Sequence, residues 1–399
     1  MVKNRVLFIT IDYHKSDEIK ESFSIASIIS YCQNKGIDWK VSKISIDTLT
    51  DISAALDDIR HMFAVNDYIM FGLYSWSEKY VQKIIAFKLP HNVICIGGYN
   101  VCATNIDGLR SQYKLVNHFI IGYAEESIYQ LVTGLNNREI LSERVDERYL
   151  SGIYSNKILD INKSIRTIRF FTKLGCIYKC EYCAHRDVNN NRVINVPLST
   201  AKKDLDAILV LDIDKVNFID PTFNIPSDYL DIMRYLIEIN FPFQVSFQVS
   251  FSLISDEFLD LCRKLNCILE FGIQDIDSKI TQIVNRRQDI KTINEIVSKL
   301  NSNHIKHELS FIIGLPYQTV DSVKNDIQWI KENVDERNCI VYFNRLMLLP
   351  GTALYNRKNE YLYVEKEING IQYIKQTKWI TETEMDQLIV NLKELNFLT

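Results

Sequence analysis

The chain has 399 residues, a hydrophobic content of 47% and a formal net charge of −4. This length exceeds that of one ordinary hydrophobic core, so we expect two domains and an appendage. The small net charge argues against electrostatic binding to nucleic acid or to an anionic membrane surface.

The N-terminal residues show no targeting pattern. Their apolar run of about seven residues is too short for a signal peptide and is followed by charged residues. No apolar stretch approaches the ~20 residues that cross a bilayer. We therefore expect a cytoplasmic protein without membrane association, in a compartment where disulfides are rare.

Short apolar runs alternate with longer amphipathic segments in the first third of the chain. The predicted strands are residues 5–11, 39–46, 67–73, 93–97 and 118–121. The predicted helices include residues 17–34, 51–62 and 78–88. This alternation is typical of a parallel sheet covered by helices. It predicts an α/β fold in which residues 1–140 form a Rossmann-like, doubly wound parallel sheet.

Polar and aromatic residues follow the carboxyl ends of these predicted strands, which is where such sheets bind ligands. They are Asp12-Tyr13-His14, Tyr74-Ser75-Trp76-Ser77, Gly97-Gly98-Tyr99-Asn100 and Gly122-Tyr123-Ala124-Glu125. If the first domain binds a ligand, this edge is the predicted place.

A second β/α series follows a polar segment, residues 141–164, which we interpret as a linker. Its predicted strands are residues 165–172, 215–219, 243–250, 268–273, 308–313 and 340–348. Six strands at this spacing favour an open six-stranded (β/α)6 partial TIM barrel over residues 165–356. Residues 357–399 are predicted to be a C-terminal helical appendage, with an amphipathic helix near residues 383–396.

Three cysteines are closely spaced as Cys176-x-x-x-Cys180-x-x-Cys183. Thiolates are soft ligands, and three of them on a short loop suit three irons of a 4Fe–4S cluster, with the fourth iron open to a small molecule. Two alternatives are a zinc site completed by His185 and three unconnected buried thiols. The loop directly follows the first predicted barrel strand, on the face where barrels carry their chemistry. A zinc knuckle does not need that position.

The other six cysteines are scattered in apolar surroundings. They are Cys32, Cys95, Cys102, Cys262, Cys267 and Cys339. We predict that they are buried free thiols, because free cysteine packs as a small hydrophobic side chain.

The motifs in and after the cysteine loop resemble the radical S-adenosylmethionine (SAM) superfamily. The Asp220 loop is similar to its subgroup with an N-terminal cobalamin-type domain, and the motifs from Gly272 onward resemble its branch around anaerobic coproporphyrinogen oxidase. The resemblance covers about 190 residues, with several motifs in order. These are Tyr182, the loop Phe218-Ile219-Asp220-Pro221-Thr222-Phe223-Asn224, the run Gly272-Ile273-Gln274-Asp275-Ile276-Asp277, Asn285-Arg286, Phe311-Ile312-Ile313-Gly314-Leu315-Pro316 and Leu349-Pro350-Gly351-Thr352.

The resemblance implies a set of cofactor-binding residues. It assigns Cys176, Cys180 and Cys183 to the cluster. It assigns SAM contacts to Tyr182, Asp220, Thr222, Gln248, Gln274, Arg286 and Ser310. Taken singly, each motif has a structural interpretation, such as an ordinary turn at Gly314-Leu315-Pro316 or a surface charge at Arg286.

The resemblance also implies the chemistry. The open iron chelates SAM, an electron arrives from a flavodoxin or ferredoxin, and the cleaved SAM yields a 5′-deoxyadenosyl radical that abstracts a hydrogen atom from substrate. The cofactor supplies the difficult step, while the protein supplies orientation and excludes water. No residue is singled out as a further catalytic group.

The whole-chain order resembles cobalamin-binding radical SAM enzymes. The matching residues are Asp12-Tyr13-His14, Tyr74-Ser75-Trp76, the pair Gly97-Gly98 and the turn at Gly122. Candidate cobalamin contacts are Ser75, Gly97 and Gly98. Proteins that ligate cobalt through histidine carry Asp-x-His-x-x-Gly, and here Asp17 replaces the glycine. His14 could thus instead pack in the fold or cap a helix. The N-terminal domain could instead cover one mouth of the barrel or dock a partner.

Three functions remain open at this point. The first is a cobalamin-dependent radical SAM enzyme that methylates, or closes a ring on, an unactivated carbon of a small metabolite or peptide. The second is a cobalamin-independent radical SAM maturase of a ribosomally made peptide, which the N-terminal domain or a separate peptide-recognition partner would bind. The third is a non-enzymatic zinc-binding adaptor. The sequence does not disclose the substrate or the oligomeric state.

Overall fold

The computed structural model describes residues 4–48, 52–185, 192–368 and 371–397. The chain divides into two compact units. Residues 1–168 and 194–213 form the N-terminal unit, and residues 169–193 and 214–399 form the C-terminal unit. No helix in the described part of the chain is long and apolar enough to cross a membrane.

The N-terminal unit contains a six-stranded parallel sheet. Its strands are β1 (Asn4–Asp12), β2 (Trp39–Asp47), β3 (Tyr68–Gly72), β4 (Val93–Gly97), β5 (His118–Ile120) and β6 (Ile140–Leu141). They pair in the order β2-β1-β3-β4-β5-β6. The chain adds β2 on one side of β1 and β3 to β6 on the other side. This change in the order of strands at β1 is that of a doubly wound sheet, so the predicted fold class is confirmed for this unit.

Helices cover both faces of this sheet. They are α1 (Phe23–Asn34), α2 (Leu56–Val65), α3 (Glu78–Ile84), α4 (Ile106–Gln112) and α5 (Glu125–Val132). A sixth helix, α6 (Leu198–Ile208), belongs to the same unit. Side chains on β1 alternate between two apolar clusters, with Leu7 and Ile9 in one and Val6 and Phe8 in the other. A strand that is buried on both faces reads as one continuous apolar run, which is why β1 was predicted from sequence.

Helix α1 is shorter than predicted. Ser22 caps it, and the Ser22 hydroxyl accepts a hydrogen bond from the Ile25 backbone N–H at 3.5 Å. The helix therefore begins at Phe23, and the predicted start at residue 17 is wrong.

A buried carboxylate fixes the segment that was interpreted as a linker. Asp204 on α6 is fully buried. It accepts hydrogen bonds from the hydroxyls of Ser151 and Ser155 and from the backbone N–H groups of Gly152, Ile153 and Ser155, at 2.7–3.1 Å. These five bonds satisfy the buried charge, and they hold α6 in the N-terminal unit.

A second six-stranded sheet carries the candidate site. The remaining strands are β7 (Thr167–Phe170), β8 (Lys173–Leu174), β9 (Ile194–Asn195), β10 (Lys215–Phe218), β11 (Gln244–Val249), β12 (Cys267–Gln274), β13 (His307–Ile313), β14 (Cys339–Arg345), β15 (Val364–Ile368) and β16 (Ile371–Gln376). The sheet order is β14-β13-β12-β11-β10-β7, with the parallel pairing of a partial barrel. The predicted barrel architecture is confirmed.

The remaining helices are α7 (Tyr229–Glu238), α8 (Asp256–Cys262), α9 (Ser278–Ile283), α10 (Ile290–Ser302), α11 (Val320–Asn333), α12 (Ala353–Asn356) and α13 (Glu382–Glu394). Buried and more exposed residues alternate along most of the barrel strands, as in β10, β12 and β13. On β12, Leu269 and Phe271 are buried, whereas Glu270 between them is partly exposed. One side of the sheet is therefore apolar, and the other side carries the polar residues.

Candidate active site

The cysteine loop begins at a glycine that the fold requires. Gly175 has a φ of +89°, and a Cβ atom there would lie 2.1 Å from the carbonyl oxygen of Arg192. Any other residue would be strained by the left-handed backbone and would collide with main-chain atoms. Gly175 thus allows the chain to turn directly from β8 into Cys176.

The three thiols lie within electrostatic range of one another. Cys176 and Cys180 are buried, Cys183 is partly buried, and all three are free of disulfides. The pKa of Cys183 is raised to about 11, chiefly by burial and also by the neighbouring Cys180 and Cys176. Cys176 Sγ lies 3.8 Å from Thr222 Oγ1. Three adjacent thiols on one loop fit the soft donor set of an iron–sulfur cluster.

The described residues offer no centre for a single metal ion. Across the described ranges, no three His, Cys, Asp or Glu side chains converge in such a group. His185, the fourth ligand of the zinc alternative, has its pKa lowered by burial.

Backbone hydrogen bonds hold the cysteine loop from outside. The N–H of Glu181 donates to the Val284 carbonyl at 2.8 Å, and the Leu354 N–H donates to the Glu181 carbonyl at 2.9 Å. Asn285 Nδ2 donates to the Lys179 carbonyl at 3.0 Å, and Arg357 forms a 3.0 Å ion pair with the Glu181 carboxylate. The loop is therefore fixed between the α9 region and α12.

The carboxylate of Asp220 supports the start of the same loop. Asp220 follows β10 and is fully buried. It accepts hydrogen bonds from the backbone N–H groups of Thr172 and Lys173, both at 2.7 Å, and from the Thr172 hydroxyl at 3.1 Å. Burial raises the pKa of Asp220 to about 6. The contacts seen for Asp220 are thus with the chain that leads into the cysteines, and its SAM contact stays a prediction.

Arg286 and Gln274 meet at Gly272, beside the cysteines. Arg286 Nη2 donates to the Gly272 carbonyl oxygen at 2.7 Å, and Nη1 lies 4.0 Å from Cys180 Sγ. A Cβ atom on Gly272 would lie 2.3 Å from Gln274 Nε2, so the glutamine amide folds back over this residue. Gln274 itself has a φ of +73° at an irregularity in the pairing of β12 with β13. Such bulges commonly redirect side chains near active sites.

Two tyrosines of the cysteine loop surround the arginine. The Tyr178 ring centroid lies 5.7 Å from Arg286 Cζ, within cation–π range, and the Tyr178 hydroxyl donates to Ser250 Oγ at 2.9 Å. Burial raises the pKa of Tyr182 well above its usual value, and Cys180 raises it further, whereas Arg286 lowers it. Tyr182 therefore lies with the cysteines and the arginine in one group.

The polar side of the barrel sheet carries charged groups at adjacent register positions. Gln248 on β11 pairs with Glu270 on β12, and Glu270 pairs with Glu308 on β13. Burial raises the pKa of Glu308, as does the charge of Glu270, while Lys215 lowers it. Ser310 pairs with Gly272 one step nearer the cysteine loop. Gln248 and Ser310 thus lie on the side of the sheet away from its apolar core.

The N-terminal unit carries an aromatic platform at the carboxyl ends of β3 and β4. The Tyr74 and Trp76 rings stack with centroids 4.9 Å apart and planes 5° apart. Cβ atoms on Gly72 and Gly98 would lie 2.7 Å and 3.2 Å from the Tyr74 ring. Gly98 would also meet the Leu73 carbonyl oxygen at 2.8 Å. These two glycines make room for Tyr74.

The remaining predicted residues of this edge lie around the platform. Gly97 and Ser75 are partly exposed beside it, and Tyr13 and Tyr99 are exposed. Glu125, at the end of the Gly122 turn, is instead buried and accepts a 2.7 Å hydrogen bond from Ser27 Oγ.

His14 is held by a neighbouring strand. Its Nε2 atom lies 2.9 Å from Ser45 Oγ, and the Ser45 hydroxyl donates to the Lys20 carbonyl at 2.6 Å. The described contact of His14 is therefore a hydrogen bond to β2, in line with the packing alternative.

Sequence reasoning missed Gly72, Gly175 and Tyr178. Each of the two glycines lies just before a motif that was identified. Gly72 is two residues before Tyr74, and Gly175 is one residue before Cys176. A glycine at the junction of a strand and a functional loop is the signal that could have found them. Tyr178 gives no sequence signal, because its contact with Arg286 joins residues about 100 positions apart.

Residues 172–330 match the family described as the radical SAM superfamily. No curated protein sequence matches the chain.

Two solved structures illustrate the similarity in fold. One is the radical S-adenosylmethionine methyltransferase TsrM from Kitasatospora setae with cobalamin and a 4Fe–4S cluster bound, at 14% identity and a TM-score of 0.69, covering 88% of this chain and 77% of that chain. The other is the cobalamin-dependent S-adenosylmethionine radical enzyme OxsB with aqua-cobalamin and SAM bound, at 13% identity and a TM-score of 0.72, covering 98% of this chain and 66% of that chain. At these identities the likeness concerns the fold.

Proposed function

Residues 172–330 form a radical SAM domain, and we propose that this enzyme modifies an unactivated carbon of a small metabolite or peptide with cobalamin as a second cofactor. In this proposal Cys176, Cys180 and Cys183 ligate a 4Fe–4S cluster. When bound, the cluster supplies the electron that cleaves SAM reductively. The reaction on the substrate would be methylation or ring formation.

The observation that carries the radical SAM assignment is the grouping around Gly272. Arg286 and Gln274 are 12 residues apart in the sequence, yet both side chains lie at this glycine, and Arg286 also lies next to Cys180. A cation and an amide beside the cysteines suit the carboxylate and amino group of SAM. Tyr182 and Thr222, also beside the cysteines, complete the proposed SAM contacts nearest the cluster.

The other proposed SAM contacts are less direct. Gln248 and Ser310 lie on the polar side of the barrel sheet, where the bound nucleoside would extend. Asp220 would act through the loop that it holds. We further propose residues 165–356 as the catalytic barrel and a flavodoxin or ferredoxin as the electron donor.

The aromatic platform supports the cobalamin part of the proposal. Tyr13 and Tyr99 are exposed at the edge that carries the stacked Tyr74 and Trp76 pair, and they would offer flat faces to a large macrocycle. Ser75, Gly97 and Gly98 lie at the same edge and would contact the corrin or its tail. TsrM and OxsB, which share the fold, were solved with cobalamin bound.

Anaerobic reconstitution with iron, sulfide and hydroxocobalamin tests both parts. We expect about four irons and four sulfides per chain, as for one 4Fe–4S cluster, and a corrin absorption band that survives desalting. Cys180→Ala should lose the cluster and SAM cleavage, whereas the control Cys102→Ala should keep both. A Cys180→Ala protein with full iron content would refute the cluster assignment.

The products distinguish the reaction types. S-adenosylhomocysteine together with 5′-deoxyadenosine would indicate methyl transfer, and 5′-deoxyadenosine alone would indicate other radical chemistry. Loss of the corrin band on desalting, with the cluster intact, would refute the cobalamin part and leave the cobalamin-independent peptide maturase.

A further inference from the structure

The guanidinium of Arg286 is held in one place by three neighbours. Nη2 donates to the Gly272 carbonyl oxygen at 2.7 Å, Nη1 lies 4.0 Å from Cys180 Sγ, and Cζ lies 5.7 Å from the Tyr178 ring centroid. The carbonyl bond and the ring together aim the second arm of the guanidinium at the sulfur. The arginine thus has a fixed contact with one of the three cysteines.

The charge of this arginine is not neutralised by an acid. In the described part of the chain, no carboxylate forms an ion pair with Arg286. The acceptors of its described hydrogen bonds are a neutral carbonyl and the Cys180 sulfur. Its positive charge is therefore available to the cysteine loop.

A fixed cation beside a cysteine ligand changes the electron affinity of the centre that the cysteine holds. Reduction adds one negative charge, and a positive charge about 4 Å from a ligand sulfur stabilises the reduced state more than the oxidised state. Hydrogen bonds to the sulfurs act in the same direction and are among the main determinants of iron–sulfur reduction potentials. The effect is large where water is excluded, and Cys180 is only 5% exposed.

We propose that Arg286 raises the reduction potential of the cluster through its contact with Cys180, in addition to any contact with SAM. The inference rests on the proposed function, because it requires Cys180 to be a cluster ligand. Arg286 is in this respect a positioning residue that acts through the cysteine. It makes the cluster easier to reduce by the electron donor before SAM binds.

The test is an EPR-monitored potentiometric titration of the reconstituted cluster without SAM. Arg286→Gln retains a donor for the Gly272 carbonyl but loses the charge. In this variant we expect the ratio of reduced to oxidised cluster at a fixed potential to fall at least tenfold. For a one-electron couple, a tenfold fall means that the reduction potential is lower by about 59 mV. Arg286→Lys keeps the charge, so its reduction potential should lie between those of Arg286→Gln and the unchanged protein.

Arg287→Gln is the matched control, because Arg287 is the exposed neighbour in sequence. It should leave the potential unchanged. An Arg286→Gln protein with full iron and sulfide content and an unchanged potential would overturn the inference while leaving the proposed function intact. Absence of a cluster in the unchanged protein would instead refute the proposed function.

A second variant covers the case in which Arg286→Gln does not retain its cluster. Arg286→Met has a neutral side chain of similar length that can pack against Tyr178. It should show the same fall in the ratio. An unchanged potential in Arg286→Met would overturn the inference, and loss of the cluster from both neutral variants but not from Arg286→Lys would support the need for a charge at Cys180.

Discussion

His14 Nε2 lies 2.9 Å from Ser45 Oγ. The hydroxyl of Ser45 has one hydrogen, and the 2.6 Å contact with the Lys20 carbonyl takes it. Ser45 must therefore accept from His14, so Nε2 carries a proton. To ligate cobalt, this nitrogen would have to give up the hydrogen bond to Ser45 and move its proton to Nδ1, which disfavours it as a ligand.

This contact predicts that the histidine is dispensable for the corrin. We expect His14→Ala to retain the corrin band after desalting, with the same absorption maxima as the unchanged protein. The cobalt(II) EPR spectrum of both proteins should lack splitting from a protein nitrogen. Two results would contradict the prediction. One is a nitrogen splitting that the unchanged protein shows and His14→Ala lacks, and the other is a corrin band that is lost only from His14→Ala.

Gly175→Ala should prevent assembly of the cluster. The new Cβ would meet a main-chain oxygen at 2.1 Å, so the chain before Cys176 must move. Gly134→Ala is the control, because Gly134 has a φ of +74° with no atom within 4 Å of the added Cβ. It shares only the backbone strain of about 1 kcal/mol. Iron and sulfide per chain are the measurement, and equal contents in the two variants would contradict the steric argument.

Gly272→Ala should weaken SAM binding without unfolding the barrel. Its Cβ would displace the Gln274 amide, a flexible end that can move away at little cost. Losing one hydrogen bond to a charged ligand costs about 1.5–3 kcal/mol, so we expect the Kd for SAM to rise roughly 10- to 100-fold. Calorimetry on the reconstituted protein measures this, with Gly108→Ala as control, because nothing lies within 4 Å of its added Cβ. An unchanged Kd would show that the Gln274 position does not matter for SAM.

Sequence patterns predicted most of the long strands because burial imposes an apolar pattern on them, as it does on β1. The two-residue strand β6 has too few residues to show a pattern. The hairpin of β15 and β16 was missed because β15 is mostly exposed and charged, as in Val364–Ile368. β15 is held as a strand by its pairing with β16, and it has no apolar face that a sequence pattern could show.

Side-chain directions in the site could not be read from the sequence. Asp220 belongs to a recognisable motif, but its carboxylate reaches the backbone of Thr172 and Lys173, which are 48 and 47 residues away. Only tertiary contacts decide whether such a group supports a loop or touches a ligand. The cysteine spacing is local and was readable, whereas the meeting of Arg286 with Cys180 depends on the fold.

The adjacent glutamates on β12 and β13 predict a pH dependence of stability. Burial and the charge of Glu270 raise the pKa of Glu308 above its usual value of 4.5. As the pH rises, the unfolded chain releases this proton first, so Glu308 lowers the folding stability progressively from about its usual pKa up through its folded pKa. Like charges directly opposite on paired strands are destabilising, on a scale of about 0.5 kcal/mol.

Glu308→Gln should therefore make the apo-protein more stable at pH 7 by about that amount, and the difference should vanish below pH ~4. Urea unfolding between pH 4 and pH 8 measures it. Glu336→Gln is the control, because Glu336 is an exposed residue of a loop. If Glu308→Gln were less stable than the unchanged protein at pH 7, Glu308 would be stabilised by Lys215 more than it is destabilised by Glu270, and the sign of the argument would be wrong.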